Sequence, residues 1–171
     1  MKTITIYTAK RRGDKYNTVY PIKREITSIA DMREAAQYDH VFAEYRDNHR
    51  SIKDFICSDC LPFDCDNDHS EKEEDWITAE KVKAAFPDVQ FYIVYSRHHM
   101  KQKGKYGHRP RFHIIFPIDR ITDGEVYRAL KESVINYFPY FDTNAKDAAR
   151  FFFGVNDPVV ELYGGEHDGN E

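Results

Sequence analysis

The chain has 171 residues, 25 Lys and Arg against 29 Asp and Glu for a net charge of −4, 41% hydrophobic residues and 15% aromatic ones. That length suits one folded domain with a proper core, and that apolar content excludes an intrinsically disordered chain. The slightly acidic balance excludes a general polyanion binder, so any contact with nucleic acid has to come from local basic patches.

Thr3–Thr8 alternates apolar and polar residues and predicts a strand, and the same alternation leaves Met1–Ile6 without a signal-peptide core. Arg11-Arg12-Gly13-Asp14 reads as a turn and Val19–Lys23 as a short second strand. Ser28 with Asp31 marks a helix start, and Ile29, Met32 and Ala36 give that helix one apolar face. His40–Arg46 reads as a strand. Phe55–Asp66 is apolar at first, contains Pro62 and leads into an acidic stretch that runs to Asp75. Ile77–Phe86 predicts a helix capped by Thr78 and stopped by Pro87. Gln90–Ser96 and Arg111–Pro117 are the two clearest strands, separated by the polar, basic segment Arg97–Pro110. Thr122-x-x-Glu125 resembles a capping box, followed by Val126, Leu130, Val134 and Tyr137 at helical spacing and a stop at Pro139. Asn144–Phe151 predicts a shorter helix, and Gly164–Glu171 a flexible tail or linker. Interspersed strands and helices with short loops predict an α+β fold around a largely antiparallel sheet. No apolar run is long enough to cross a bilayer. Cys57, Cys60 and Cys65 are an odd, closely spaced set, a poor disulfide framework that suits a reducing, cytoplasmic setting.

In Leu61-Pro62-Phe63-Asp64-Cys65-Asp66-Asn67-Asp68 the carboxylates fall at every second position. On a strand, Asp64 and Asp66 then project from one face. Carboxylates held close repel unless a cation lies between them, and hard oxygens suit Mg2+ or Mn2+. The plainer alternative is a solvated acidic turn formed by Asn67 and Asp68. A calcium loop lacks its central Gly and terminal Glu. Cys57-x2-Cys60-x4-Cys65-x3-His69 approaches a zinc-knuckle spacing, but it overlaps the two aspartates, and no zinc is expected.

Arg97, Lys101, Lys103, Lys105, Arg109 and Arg111, with His98, His99 and His108, fall in one window without an acid. Such a window offers donors to a triphosphate or a nucleic-acid backbone, or is simply a solvated hairpin loop. In Arg111-Phe112-His113-Ile114-Ile115-Phe116, alternation sets Arg111 and His113 on one face and Phe112, Ile114 and Phe116 on the other. A lone strand histidine is usually structural; shared with an arginine after a basic loop, it becomes a donor to phosphate. Asp142 is either a third carboxylate for a metal or the cap of a helix near Asn144. Asp147 lies near that helix's start, where its charge is favourable, and Arg150 follows.

Taken in order, Phe63-Asp64-Cys65-Asp66, the strand Arg111–Pro117 with its single His113, and Phe141-Asp142 resemble the archaeo-eukaryotic primase superfamily. The closest likeness is to primase-polymerase domains of bacterial phages, plasmids and integrated elements, and it runs from about Tyr38 to Gly154. Tyr95-Ser96-Arg97-His98-His99-Met100-Lys101 and Ala149-Arg150-Phe151-Phe152-Phe153-Gly154 share in it. The resemblance implies one domain over residues 1–163, with an N-terminal α/β unit over about 1–60, an RRM-like unit over about 61–163 and the site in the cleft between them. It implies two Mg2+ or Mn2+ ions on Asp64, Asp66 and Asp142, with Asp147 as the rival third ligand. It implies phosphate contacts from His113, joined by Arg111, Ser96, Arg97, Lys101, Arg109 and Arg150. Arg111 departs from the family, many of whose members carry Ser two residues before the histidine. The implied activity is DNA-templated nucleotidyl transfer to a 3'-hydroxyl at replication initiation. The implied partners are a single-stranded DNA template, NTP or dNTP, and a helicase domain or protein C-terminal to this region. A rolling-circle nickase would want two histidines flanking one hydrophobic residue, where His113 stands alone and His98-His99 are adjacent. A non-catalytic single-stranded nucleic-acid-binding module would use Tyr92, Tyr95, Phe112 and Phe116 as a stacking sheet, although alternation makes several of them core.

Overall fold

The computed structural model describes residues 1–164, so the expected tail beyond Gly164 lies outside the described residues. The chain runs through β1 (Ile4–Thr8), β2 (Ile22–Ile26), α1 (Ile29–Ala35), β3 (His40–Val41), β4 (Glu44–Tyr45) and β5 (Phe55–Cys65). It continues through α2 (Ala79–Ala85), β6 (Phe91–Tyr95), β7 (Phe112–Ile121), α3 (Gly124–Tyr137), β8 (Phe151–Phe152) and β9 (Val160–Tyr163). The strands form a four-stranded sheet, β2-β1-β3-β8, and a five-stranded sheet, β4-β5-β7-β6-β9. Every pairing between them is antiparallel, as an α+β reading requires. Within the larger sheet, β5-α2-β6-β7-α3-β9 follows the strand–helix–strand–strand–helix–strand order of split βαβ units. Its last strand joins at the β6 edge, and β4 covers the free edge of β5. The sheets do not divide the chain at residue 60. The larger one takes β4 and the first half of β5 from before that point, and the smaller one takes β8 from far beyond it.

Alternation along β5, β6 and β7 explains the layering. Leu61, Phe63, Phe91, Ile93, Phe112, Ile114 and Phe116 turn to one face, where α2 and α3 cover them with Val82, Tyr127 and Ile135. Cys60, Tyr92, Val94 and Ile115 turn to the other face and meet Ile4, Ile6, Met32 and Phe152 of the smaller sheet and α1. The larger sheet is thus covered on both faces, and the gap between the sheets closes over an apolar centre. Cys57, Cys60 and Cys65 are free, buried thiols, and Cys60 and Cys65 sit in opposite cores.

Several expected elements shift. The second strand begins at Ile22, because Pro21 has no N–H to give and Val19 makes only an isolated bridge to His49. The expected strand over residues 40–46 splits in two, with β3 in one sheet and β4 in the other, and the chain then turns at Asp47 and Asn48 with φ of 54° and 56°. Ser28 caps α1 as read from the sequence, accepting from Asp31 N, and Asp31 accepts from Thr27 N in return. For α3 the cap is Asp123 rather than Thr122: its Oδ1 accepts from Glu125 N and Val126 N. The buried stripe of α3 is Tyr127, Lys131 and Ile135, so Val126 and Tyr137 face water. The charged Lys131 disguised that stripe. The helix expected over residues 144–151 is a single 3-10 turn at Thr143–Lys146, after which pairing with β3 draws residues 151–152 into the smaller sheet.

Candidate active site

Asp64 lies next to the end of β5, and antiparallel register sets it directly opposite His113 of β7. Both point from the face that looks toward the smaller sheet. His113 Nε2 stands 3.0 Å from Asp64 Oδ1, and the imidazole packs edge-on against the Phe152 ring at 4.6 Å. Arg150, just before β8, reaches across so that its terminal nitrogen lies 2.8 Å from Asp64 Oδ2 and 3.7 Å from Asp142 Oδ2. Asp142 is brought to this strand end by its backbone N–H, which donates to the Asp64 carbonyl at 2.8 Å. Asp66 follows the end of β5, with Lys103 Nζ 2.6 Å from its Oδ2. These groups surround a cavity of about 220 Å3 lined by Asp64, Asp66, Ser96, Arg97, His98, Lys103, His113, Arg150 and Phe151–Phe153. One wall comes from the larger sheet and its β6–β7 loop, the other from β8.

Burial alone would raise the Asp64 carboxyl, but His113 and Arg150 outweigh it and hold the group well below the ordinary carboxylate range. Burial likewise works against the Arg150 cation, and Asp64 and Asp142 more than restore it. Burial lowers His98, and the nearby Arg97, Lys103 and Arg111 lower it further. Behind Phe152, burial pushes His40 down to about 4, so it stacks as a neutral ring with Nδ1 against the Tyr38 carbonyl.

Of the residues read from the sequence, Asp64, Asp66, His113, Ser96, Arg97 and Arg150 share this cavity. Arg97 lies over the Phe153 ring at 3.9 Å. Asp142 adjoins the cavity through Arg150 and faces a neighbouring groove of about 390 Å3 that it shares with Asp66, Asp68, His69 and Tyr140. It also caps the following turn, accepting from Asn144 N at 2.9 Å, as the capping reading of this residue expects. Asp147 lies elsewhere: its carboxylate accepts from Ala149 N, and it lines a hollow beside Asp123 and Arg128. Lys101 is exposed and outside the cavity wall.

Arg109 and Arg111 take structural places rather than phosphate-facing ones. β7 begins at Phe112, so strand alternation does not reach Arg111. Its side chain lies fully buried beneath the 97–110 loop, donating to the carbonyls of His98, Lys101 and Gly107. Arg109 is buried between the Trp76 and Tyr106 rings and donates to the carbonyls of Asn67 and Ser70 and to Glu71. A buried guanidinium must satisfy its donors, and loop carbonyls are the acceptors at hand. Asn67 completes this brace with φ of 56° and bonds to Ile77 and to the Pro110 carbonyl. His98 and Lys103 were read from the sequence only as members of the basic window, and Phe151–Phe153 only as part of the resemblance, none of them as a site residue. Lys103 was legible only as one of many loop cations.

Among the described residues no three His, Cys, Asp or Glu side chains close on one point as a ready metal cage. Mg2+ does not require one, since it keeps waters and is usually held by one or two carboxylates plus substrate phosphates. Hard oxygens from Asp64, Asp66 and Asp142 around one strand end fit such an ion in chemistry, and each is now neutralised by Arg150 or Lys103. The aromatics that would form a stacking sheet are taken up elsewhere: Tyr92, Phe112 and Phe116 are core, and only Tyr95 is partly exposed. The described residues lining the cavity include no tyrosine to serve as a nicking nucleophile. No helix of the described residues is long and apolar enough to cross a membrane.

No protein-family model matches the chain, and no curated protein matches it. Among solved structures, the AEP domain of the cyanophage S-2L primase-polymerase (PrimPol) is similar over 95% of this chain and 82% of that chain, with a TM-score of 0.49 and 14% sequence identity.

Proposed function

We propose that the chain is a nucleotidyltransferase of the primase-polymerase type, transferring the nucleotidyl group of an NTP or dNTP to a 3'-hydroxyl on a single-stranded DNA template, with release of pyrophosphate, at replication initiation. The observation that carries this reading is the meeting, in one cavity between two sheets, of the buried Asp64–His113 pair and the adjoining Arg150 with the Asp66–Lys103 pair. An anionic strand end facing cationic side chains is what phosphoryl transfer asks of a protein, because positioning and charge stabilisation supply most of the rate.

In this reading Asp64, Asp66 and Asp142 hold divalent Mg2+ or Mn2+. When bound, such ions lower the pKa of the attacking hydroxyl and neutralise the phosphates. His113, whose Nε2 lies against Asp64 Oδ1, donates to a phosphate oxygen once that carboxylate is taken up by the ion. Arg97, Lys103 and Arg150 receive the triphosphate, and the loop braced by Arg109 and Arg111 holds Arg97, His98 and Lys103 at the cavity mouth. The Phe151–Phe153 wall excludes water from one side. The direct test is incubation with single-stranded DNA, labelled nucleotides and Mg2+ or Mn2+, with and without a primer. Template-dependent extension is expected. Its absence with every nucleotide and both metals refutes the assignment.

A further inference from the structure

The cations of this cleft fall into two groups. Arg109 and Arg111 are buried and their guanidinium groups are locked to backbone carbonyls, which no ligand can displace without unfolding the loop. Arg150 and Lys103 have no such lock. Arg150 is about a third exposed, and among the described residues its terminal nitrogen contacts only Asp64 and Asp142. The Lys103 side chain is 40% exposed, and among the described residues its Nζ contacts only Asp66. Both line the same cavity, and between them they neutralise each of the carboxylates that a divalent ion would use.

From this we propose that Arg150 and Lys103 are exchangeable counter-ions, which leave their aspartates for triphosphate oxygens when a divalent ion takes the carboxylates. The proposal rests on the nucleotidyltransferase reading and deepens it. A divalent ion entering alone must displace two cations that stay trapped beside it, with only water and Arg97, His98 and His113 for neighbours. A triphosphate entering alone must draw the same cations away from carboxylates that are then left bare. Entering together, each ligand removes the penalty on the other, because the released cations and the phosphates meet across the cavity. Binding of metal and triphosphate is therefore coupled through these two side chains, and coupling of this kind runs from about five- to 150-fold in affinity.

Because Mn2+ chelates a free triphosphate, the test measures each ligand by itself on the full chain. In one arm Mn2+ alone is titrated by electron paramagnetic resonance into the unsubstituted protein, Arg150→Gln and Lys103→Gln. Removing the competing cation is expected to tighten Mn2+ binding by about fivefold or more. In the other arm a non-hydrolysable triphosphate analogue is titrated in chelator into the unsubstituted protein, Asp64→Asn and the more exposed Asp66→Asn. Freeing the cation is expected to tighten metal-free triphosphate binding, although a proposed metal ligand has been lost. Unchanged or weaker Mn2+ binding in both cation variants, with their thermal unfolding intact, overturns the proposal. So does unchanged triphosphate binding in both aspartate variants. If no variant binds either probe, and the unsubstituted protein does not bind Mn2+ and the triphosphate analogue supplied together, the nucleotidyltransferase reading itself falls and takes the proposal with it.

Discussion

Replacing Asp64 by asparagine perturbs the most tightly held group of the cleft while keeping its shape. The carboxylate faces His113 at 3.0 Å and Arg150 at 2.8 Å, and an amide offers one acceptor oxygen where the carboxylate offers two. One of the two neighbours therefore loses its partner. Hydrogen bonds to charged groups contribute about 1.5–3 kcal/mol each. Arg150 keeps Asp142 at 3.7 Å and is partly solvated, so the loss falls at the low end, about 1.5 kcal/mol. For a chain of this length that corresponds to a fall in Tm of about 3–6 °C. Incorporation falls much further, by about 10²–10³-fold or more, since removing a single preorganised charge contact costs that much in an active site. The acid limb gives a second readout. Asp64 is held below the ordinary carboxylate range in the folded chain, so its contribution is complete above the unfolded value of about 3.9 and declines as pH falls below it. The gap in Tm between the two proteins should thus hold from neutral pH down to about 4 and narrow below it. Scanning calorimetry across pH and primer-extension kinetics measure both effects. An Asp64→Asn protein with unchanged Tm and incorporation within about tenfold of the original would refute the reasoning, because the charge would then serve neither packing nor chemistry.

His113→Ala removes a donor to phosphate and also the partner of Asp64 Oδ1 and the ring packed on Phe152, so the Michaelis constant for nucleotide should rise and Tm should fall by a few degrees; an unchanged Michaelis constant rejects that role. Lys131 is buried in α3 with its ammonium 3.3 Å from the Asp147 carbonyl, and burial pushes it down to about 7. Its folded value lies below its unfolded one, so the folded chain binds fewer protons and stability rises as pH climbs from about 7 toward 10.4. Lys131→Met should flatten that rise in a melt series and raise Tm at pH 7; a persistent slope contradicts it. Gly154→Ala should cost several kcal/mol or abolish folding, because a Cβ there would stand 2.5 Å from the Gln37 carbonyl oxygen, which is backbone and cannot move aside. A variant melting within about 2 °C of the original shows that the segment can shift.

The strands that frame the site were legible because their alternation is regular. Phe112, Ile114 and Phe116 face the helices, and His113 and Ile115 face the smaller sheet. The pairing of Asp64 with His113 was not legible, since register across β5 and β7 is set by a contact between strands far apart in sequence. The α3 stripe was misplaced because Lys131 interrupts it, and an apolar count passes over a lysine that is buried whole, its ammonium against the Asp147 carbonyl. The basic loop misled in another way. Charge alone does not tell a cation that faces solvent from one that holds the loop from within, and Arg109 and Arg111 belong to the second kind. What separates them from Lys103 and Arg150 is that backbone carbonyls hold both, joined at Arg109 by Glu71, whereas Lys103 and Arg150 meet the carboxylates of the cavity.

The cleft depends on two of the three shortest strands among the described residues. β3 and β8 have two residues each, yet their pairing fixes Phe152 against His40 and His113 and sets the position of Arg150 just before β8. Two residues of ladder contribute little by themselves, so the segment is held mainly from its flanks. On one side Tyr45 Oη and Arg50 donate to the carbonyls of Ala148 and Ala149; on the other, Gly154 N donates to Asp39, which also accepts from Gly13 N and Asp14 N. A buried aspartate bound to backbone N–H groups from two segments ties the β1–β2 turn to the far wall of the cleft. The smaller sheet is therefore more than a cover for the larger one. Its turn and its short strands are what hold Arg150 opposite Asp64, and loosening them removes the guanidinium from the site while the larger sheet's apolar core stays intact.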